Sequence, residues 1–319
     1  MKLSLLFGIG ILLCLTVASL FTGVSAVSIV NIFSDREMFD VFVISRLPRT
    51  IALILSGSAM GVAGLIMQLI TQNRFIEPTL AGTTQSASLG LLIMLIFVPN
   101  APVIVKMSVA CLFALVGTGI FMLLLKRVVL KSALIVPIIG IMFGAVISAA
   151  TVFIAMYFDL LQAIMAWVDG DFSGILQGRY ELLWLVGILT IVAYYTADSF
   201  TVAGLGREFA INVGLNYRKV MIIGLSVIAV VSGIIVVVVG GLPFLGLIVP
   251  NVVSLIMGDN SRKTIPWICL LGSGLVLLCD IAGRIIIYPF ELPVSVILGV
   301  IGAIVFLFLL LKQASYAKK

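Results

Sequence analysis

The feature that most restricts the fold of this chain is a series of ten apolar runs separated by short polar breaks. An α-helix needs about 20 mostly apolar residues to cross roughly 30 Å of hydrocarbon, and each run is close to that length. The pattern predicts an all-α, polytopic membrane protein of about ten transmembrane helices in a single domain, residues 1–319. The runs lie near residues 3–24, 49–70, 82–98, 103–125, 133–157, 182–203, 219–239, 242–257, 265–282 and 293–312.

Composition supports this assignment and excludes several functions. Hydrophobic residues make up 62% of the chain and charged residues 10%, which is too much apolar surface for a water-soluble domain to bury. Histidine is absent, and the four cysteines have no CxxC spacing. A membrane-embedded enzyme needs a nucleophile with a base, or a metal cluster, and the sequence offers neither. We therefore expect no catalytic residue and no metal site.

The first run, from Lys2 to about Thr22, also resembles a signal peptide. The apolar part of a signal peptide covers about 7–15 residues, whereas this run is long enough to fill a bilayer. We therefore predict that it forms the first span.

The distribution of basic residues predicts the orientation in the cell membrane. Cytoplasmic loops carry an excess of lysine and arginine. A cytoplasmic N-terminus leaves only six of the 19 basic residues outside and also places the C-terminus in the cytoplasm. The net charge of +6 is then a topology signal. The six outer residues are Arg36, Arg46, Arg49, Lys106, Arg179 and Arg284.

Small residues recur at helical spacing within the runs. Gly57, Gly61 and Gly64 lie in the second run, and Gly140 and Gly144 lie in the fifth. Glycine lets membrane helices approach closely, so we interpret these positions as packing seams.

Polar residues interrupt the turn from Gln68 to Gly82, which contains Asn73, Glu77 and Pro78. Irregular backbone at membrane depth is tolerated where it lines a cavity or is buried in protein. The turn is therefore either part of a translocation path or an ordinary cytoplasmic turn.

Charged residues also stand near the predicted outer surface. Asp280 and Arg284 are one helical turn apart, which indicates either a structural ion pair or an arginine that faces an external partner. Arg46 and Arg49 flank a Leu-Pro pair at the start of the second run. Their guanidinium groups could bind carboxylates of a docking protein or anchor the span end to lipid headgroups.

The longest amphiphilic stretch on the predicted cytoplasmic side runs from Thr196 to Lys219. Its centre is predicted to form a short helix that presents Phe209, Val213 and Leu215 to a partner. A helix that lies on the membrane surface is the alternative, although such helices are usually more basic.

Several motifs, taken in order, resemble those of the permease subunits of bacterial importers for iron chelates and vitamin B12. They are the RLPR motif from residue 46, the GLIMQ run from residue 64, the GLIVP segment from residue 246, the Asp280 and Arg284 pair and the ELP motif from residue 291. The resemblance covers nearly the whole chain. The NRF turn, the TLAGT segment and the GRIIIYPFE stretch resemble most the branch that imports ferric catecholate siderophores in Gram-positive bacteria.

This resemblance implies the permease fold of a type II ABC importer and an assembly of several subunits. The expected partners are a second permease chain, more often a paralogue than a second copy, two cytoplasmic ATPases and an extracellular substrate-binding lipoprotein. ATP and magnesium would bind to the ATPases, because this chain lacks a GxxxxGK[ST] phosphate loop. No cofactor is expected in the chain itself.

The resemblance also assigns roles to individual positions. The docking residues for the binding protein would be Arg46, Arg49 and Arg284. The translocation path and gate would include Gln68, Asn73, Phe75 and Asn251. The coupling loop for the ATPase would be residues 204–219, with Gly206, Arg207, Phe209, Asn212, Gly214 and Leu215. The sequence departs from the family pattern at Arg74, Asn251, Ser254 and Ser295, which leaves the geometry of the gate open.

The function predicted from these features is import of a ferric siderophore, of catecholate type, by an ATP-binding-cassette transporter. A permease for haem, a hydroxamate siderophore or cobalamin is the alternative within the family. An ion-coupled secondary transporter is the alternative outside it, and it would need ionisable groups near the midplane of the membrane. Asp280 is the one candidate, and it lies near a span end.

Overall fold

The structure is a computed structural model that describes residues 2–23, 35–128 and 134–316. In this part of the chain the fold is helical, with a single isolated β-bridge between Asp169 and Gly241. The helices are α1 (Lys2–Phe21), α2 (Arg36–Val41), α3 (Leu47–Thr71), α4 (Thr83–Phe97), α5 (Val103–Arg127), α6 (Ile135–Tyr157), α7 (Leu161–Val168), α8 (Leu183–Tyr195), α9 (Ala197–Gly204), α10 (Arg207–Asn212), α11 (Tyr217–Val238), α12 (Leu245–Met257), α13 (Ser261–Ile286) and α14 (Val294–Tyr316). A π-helical turn, Phe42–Arg46, joins α2 to α3.

The described helices match the ten predicted spans. Five of them are long and apolar enough to cross a membrane, counting α2, the π-helical turn and α3 as one. The bent pair α8 and α9 passes the same test, and α1, α4, α12 and α14 contain shorter apolar helices. The predicted all-α membrane fold is confirmed.

Helix α3 occupies the centre of the bundle. In its most apolar 18-residue stretch 78% of the residues are buried, against 33% for α5 and 22% for α6. Helices α8, α11, α12 and α13 pack around it. The low burial of α5 and α6 leaves wide apolar faces on these helices for lipid or another subunit.

Two glycine pairs bring the backbones of these helices into contact. A Cβ atom built on Gly64 would lie 2.0 Å from the carbonyl oxygen of Gly246 in α12. A Cβ atom on Gly57 would lie 2.6 Å from the carbonyl oxygen of Gly272 in α13. No side chain fits at such distances, so the glycines of the second run form a packing seam, as their spacing predicts.

One predicted span is wrong in shape. The run 182–203 is two helices that meet at a bend of 63°. Thr196 ends α8 with φ −96° and ψ 6°, and both its amide and its hydroxyl donate to the carbonyl of Val192. Apolar content alone does not record such a break, because α9 continues the run with Val202 and Ala203.

The first apolar run packs into the bundle. Helix α1 lies along α13, and a Cβ atom on Gly8 would lie 3.1 Å from the ring of Trp267. The end of α1 also accepts hydrogen bonds from Arg284 through the carbonyl of Thr22. These contacts are those of a transmembrane helix within a bundle.

Candidate functional site

Five charged groups meet where α3 begins and α13 ends, at the predicted outer surface. Arg49 donates to the same oxygen of Asp280 from Nη2 at 2.7 Å and from Nε at 3.1 Å. Its Nη1 also donates to Glu291 at 2.7 Å, just before α14. One guanidinium group therefore joins three segments of the chain, as the fork geometry of arginine allows.

Arg284 completes this arrangement from one turn along α13. It pairs with the second oxygen of Asp280 and donates to the carbonyls of Ser19 and Thr22 at 3.0 and 2.7 Å. Arg46 also donates to the carbonyl of Thr22. We refer to Arg46, Arg49, Asp280, Arg284 and Glu291 as the arginine cluster.

The arginine cluster is buried, which corrects part of the sequence-based expectation. Arg46 and Arg49 are each 7% exposed, and Arg284 is 3% exposed. Arg284 therefore does not face outwards, because its donors are directed to Asp280 and to the end of α1. The Asp280 and Arg284 pair is present and is extended by Arg49. Docking on the three arginines stays a prediction, and it requires this cluster to open.

Three of the four predicted gate residues lie together. Gln68, Asn73 and Asn251 line a cavity of about 210 Å³ between α3, α9, α12 and α13. Gln68 donates to the carbonyl of Gly246 at 3.2 Å, and Asn251 donates to the carbonyl of Arg74 at 2.7 Å. These bonds attach the turn after α3 to α12.

Phe75 lies apart from that cavity. Its amide donates to Oδ1 of Asn73 at 2.8 Å, which fixes the turn. Its ring is buried and meets the ring of Phe306 in α14 edge-on, with 6.1 Å between the ring centroids. The structure therefore separates Phe75 from the other predicted gate residues.

Three of the four departures from the family pattern form one local network. Arg74 pairs with Asp259 at 2.6 Å, and Ser254 donates to the other oxygen of Asp259. Asn251 donates to the backbone of Arg74. These three departures from the family pattern are far apart in the sequence, but they are joined in the structure through hydrogen bonds between the turn after α3 and the end of α12.

Glu77 is a functional candidate that the sequence reasoning named only as a turn residue. Its side chain is completely buried, and Oε1 accepts a hydrogen bond from the amide of Phe244 at 2.7 Å and one from the hydroxyl of Thr79. Phe244 has a left-handed φ of 62° and precedes α12. A carboxylate at a helix N-terminus is stabilised by the unpaired amides and the helix dipole, so Glu77 holds α12 against the turn.

A second polar cavity, of about 380 Å³, lies between α4, α6, α7, α11 and α14. Hydroxyl and amide side chains line it together with apolar ones, and Asp169 carries the one charge among the described lining residues. Sequence reasoning missed this site, although the TTQSAS run at the start of α4 was a usable signal. The neutral polar lining consists of Thr79, Thr84, Gln85, Ser88, Ser148, Thr151 and Ser295.

The predicted coupling loop contains the short helix α10. Left-handed glycines flank it, Gly206 with φ 111° and Gly214 with φ 84°. Phe209 and Val213 are 48% and 57% exposed, as expected for a contact surface. Leu215 is different, because it is partly buried and packs against the core of the bundle.

The other two predicted coupling residues, Arg207 and Asn212, are the first and last residues of α10, and both are exposed. Asn216 then accepts a hydrogen bond from the amide of Lys219 at 3.1 Å and caps α11. The loop is therefore a short helix that is followed closely by the capped start of the next span. Within the described ranges, no group of three histidine, cysteine, aspartate or glutamate residues could hold a metal ion.

Comparison with known proteins gives consistent matches over the whole chain. Residues 11–312 match the FecCD transport family. The petrobactin import system permease protein FatD of Bacillus anthracis is 48% identical over 95% of this chain and 89% of its own length. The petrobactin import system permease protein YclN of Bacillus subtilis is 44% identical over 99% of this chain and 100% of its own.

A solved structure has the same fold. It is described as an inward-facing conformation of an ABC transporter of metal-chelate type. The TM-score is 0.83, over 98% of this chain and 100% of the other, at 22% identity. At this identity the likeness concerns the arrangement of helices.

Proposed function

This chain belongs to the FecCD transport family, and we propose that it is the permease subunit of an ATP-driven importer that carries a ferric siderophore into the cytoplasm. The observation that carries the proposal is the match to two petrobactin permeases at 48% and 44% identity over nearly the whole chain. The cargo we propose is a ferric chelate of petrobactin type, which agrees with the catecholate branch indicated by the sequence motifs.

The cavity of about 380 Å³ supports a path for such a cargo. A transported chelate must be accepted and released, so its path should offer several weak contacts rather than a tight cage. Neutral hydroxyl and amide groups such as Thr84, Gln85 and Thr151 provide hydrogen bonds of this kind. The gate cavity around Gln68 and Asn251 then lies at the other end of α3, away from the arginine cluster.

The exposed helix α10 supports a cytoplasmic ATPase as a partner. Phe209 and Val213 are apolar side chains that are exposed in the loop between two spans. Exposed apolar groups of this kind are typical of a surface that another protein covers. ATP and magnesium would bind to that partner. Binding of ATP would move α10, and α11 would transmit the movement because only residues 213–216 separate the two helices.

An external binding lipoprotein would dock at the opposite surface, with both termini of this chain in the cytoplasm. The arginine cluster lies there, and Glu291 is its most accessible side chain, at 25% exposure. We propose that docking acts on the arginine cluster, and that loosening of the bonds to the end of α1 accompanies opening. A ligand shifts such an equilibrium only if it binds the two conformations unequally.

Uptake of radioactive iron into proteoliposomes tests the function. The vesicles contain this chain, its paired permease and the ATPases. They should accumulate ferric petrobactin only when ATP is on the side of the membrane that carries the ATPases and loaded binding protein is on the opposite side. Uptake driven by an ion gradient alone would contradict the proposal. Ferric hydroxamate, haem and cobalamin serve as competing cargoes in the same vesicles.

Pairing with a paralogue is tested by co-expression of two differently tagged copies of this chain with the candidate second permease. A heterodimer predicts that each tag retrieves the paralogue and not the other tagged copy. Recovery of both tags in one complex would indicate a homodimer.

A further inference from the structure

A groove of about 930 Å³ opens between the ends of α3 and α5, helix α10 and the start of α11. Its rim carries Lys126, Arg207 and Arg218. The rest of its lining is mixed: Thr71, Gln72, Asn216 and Tyr217 are polar, and an apolar floor includes Met122 and Ile222, each one helical turn further into the spans than a rim residue. We call this the basic groove.

The charge of the basic groove is not neutralised by the chain. No acidic side chain is among the described residues that line it, and none of its three cations forms an ion pair with a described carboxylate. Glu208 lies next to Arg207 but does not line the groove. Three uncompensated cations around one opening attract an anionic group.

The groove also lies at a membrane surface. Lys126 is in the last turn of a spanning helix of 25 residues, and Arg218 is in the first turn of another of 22 residues. Met122 and Ile222 are four positions further in, which is about 6 Å at the helical rise of 1.5 Å per residue. The cations therefore stand at headgroup level and the apolar floor at the level of acyl chains.

From this combination we propose that the basic groove binds an anionic phospholipid of the inner leaflet. The phosphate lies between Lys126, Arg207 and Arg218, and an acyl chain covers the apolar floor. Basic pockets between transmembrane helices at the cytoplasmic side are suited to such headgroups. The location in the inner leaflet rests on the proposed orientation, whereas the chemistry of the site does not.

The site would also give the lipid a role in transport. Arg207 is the first residue of α10, so a bound phosphate restrains the helix on which the ATPase acts. Loss of the lipid then leaves α10 less ordered, and ATP hydrolysis becomes less tightly coupled to uptake.

Binding is tested on the full-length chain, purified in the assembly it forms, by native mass spectrometry and in nanodiscs of phosphatidylcholine with and without phosphatidylglycerol. The wild type should retain phosphatidylglycerol in preference. The variant Lys126→Ala/Arg218→Ala should lose this preference by about tenfold or more, because each basic residue near the surface contributes about 1 kcal/mol.

The matched control is Arg127→Ala/Lys219→Ala. It removes the same charges from the adjacent positions of the same two helices, and neither residue lines the groove. The control should keep most of the preference. Equal loss in both variants would show that lipid responds only to overall surface charge and would overturn the proposal, as would full preference in the first variant.

A second variant keeps the charges and fills the floor. Ile222→Trp should displace the acyl chain and weaken phosphatidylglycerol binding, although all three cations of the groove remain. If millimolar glycerophosphate alone competes the lipid away, the site is one for free phosphate and the proposal is wrong. Cross-linking of a cysteine at position 222 to an ATPase would show a protein occupant and would equally overturn it.

These measurements need neither ATP nor uptake. Failure of lipid binding therefore leaves the proposed transport function intact, and failure of transport leaves the lipid site intact. If both hold, phosphatidylglycerol should raise the amount of iron transported per ATP hydrolysed in the wild type and not in Lys126→Ala/Arg218→Ala.

Discussion

The arginine cluster and the basic groove contain the same kind of residue in opposite settings. Each has three cations, but those of the arginine cluster are at most 7% exposed and share two carboxylates, whereas those of the groove have no carboxylate partner among the described residues. A buried charge is stable only when it is paired, whereas an exposed charge needs no partner. The first arrangement therefore holds helices together, and the second remains available for a ligand.

The substitution Arg49→Glu should have the largest effect on stability. It removes the group that joins Asp280 to Glu291 and brings three carboxylates together. Removing one partner of a buried pair costs about 3–5 kcal/mol, and the added repulsion increases this. We expect loss of folded protein, measured by size-exclusion chromatography and thermal unfolding in detergent.

The control for this variant is Arg179→Glu, which reverses an exposed charge on the same predicted surface. It should cost no more than about 1 kcal/mol of stability, because the contact that it removes is an exposed cation–π contact with Trp167. Arg49→Glu could instead stay folded and lose only the response to the binding protein. The arginine cluster would then be mainly a docking surface, and it would not differ from the basic groove in holding helices together.

Glu77→Gln should have an intermediate effect. It keeps the shape of the side chain that accepts from Phe244 but removes the charge that the carboxylate carries above its pKa, which burial raises to about 7. Loss of a helix cap or a favourable dipole contact costs about 0.5–2 kcal/mol. Thermal unfolding should shift by a corresponding few degrees, and Glu208→Gln at an exposed position should cause no shift. An unchanged transition for Glu77→Gln would show that the carboxylate is dispensable there.

Phe209→Ala should leave stability within about 0.5 kcal/mol of the wild type, because the ring is 48% exposed. Uptake should nevertheless fall by about tenfold or more if α10 contacts the ATPase, since exposed aromatic anchors dominate such contacts. The measurement is iron uptake per ATP hydrolysed. The control is Phe153→Ala, at 74% exposure within the span α6. Full uptake with Phe209→Ala would remove α10 from the coupling contact.

Asp259→Asn should have the smallest effect. It breaks the pair with Arg74, in which the two side chains are 61% and 54% exposed. Exposed ion pairs contribute about 0–1 kcal/mol, so the thermal transition should stay close to that of the wild type. A large loss of stability would mean that this network resembles the arginine cluster more than its exposure suggests.

The spans were predictable because each depends on a local property. Apolar content over about 20 residues defined ten segments, and helical spacing alone related Asp280 to Arg284. The glycine seam of α3 followed from spacing in the same way.

Features that join distant segments were not predictable. Arg49 reaches Asp280 across 231 positions, and nothing in either local sequence indicates which helices will be neighbours. The polar cavity likewise collects residues from separate helices. The bend at Thr196 was not predicted because the apolar run was extended through the polar residues Thr196 and Asp198 to residue 203, while the break depends on the conformation of one residue.

The backbone contacts at Gly64 and Gly57 restrict how the protein can change shape. Helices that touch through bare peptide groups, without side chains between them, cannot slide past one another by rotamer adjustment. We therefore expect α3, α12 and α13 to keep their relative positions where these glycines meet during transport.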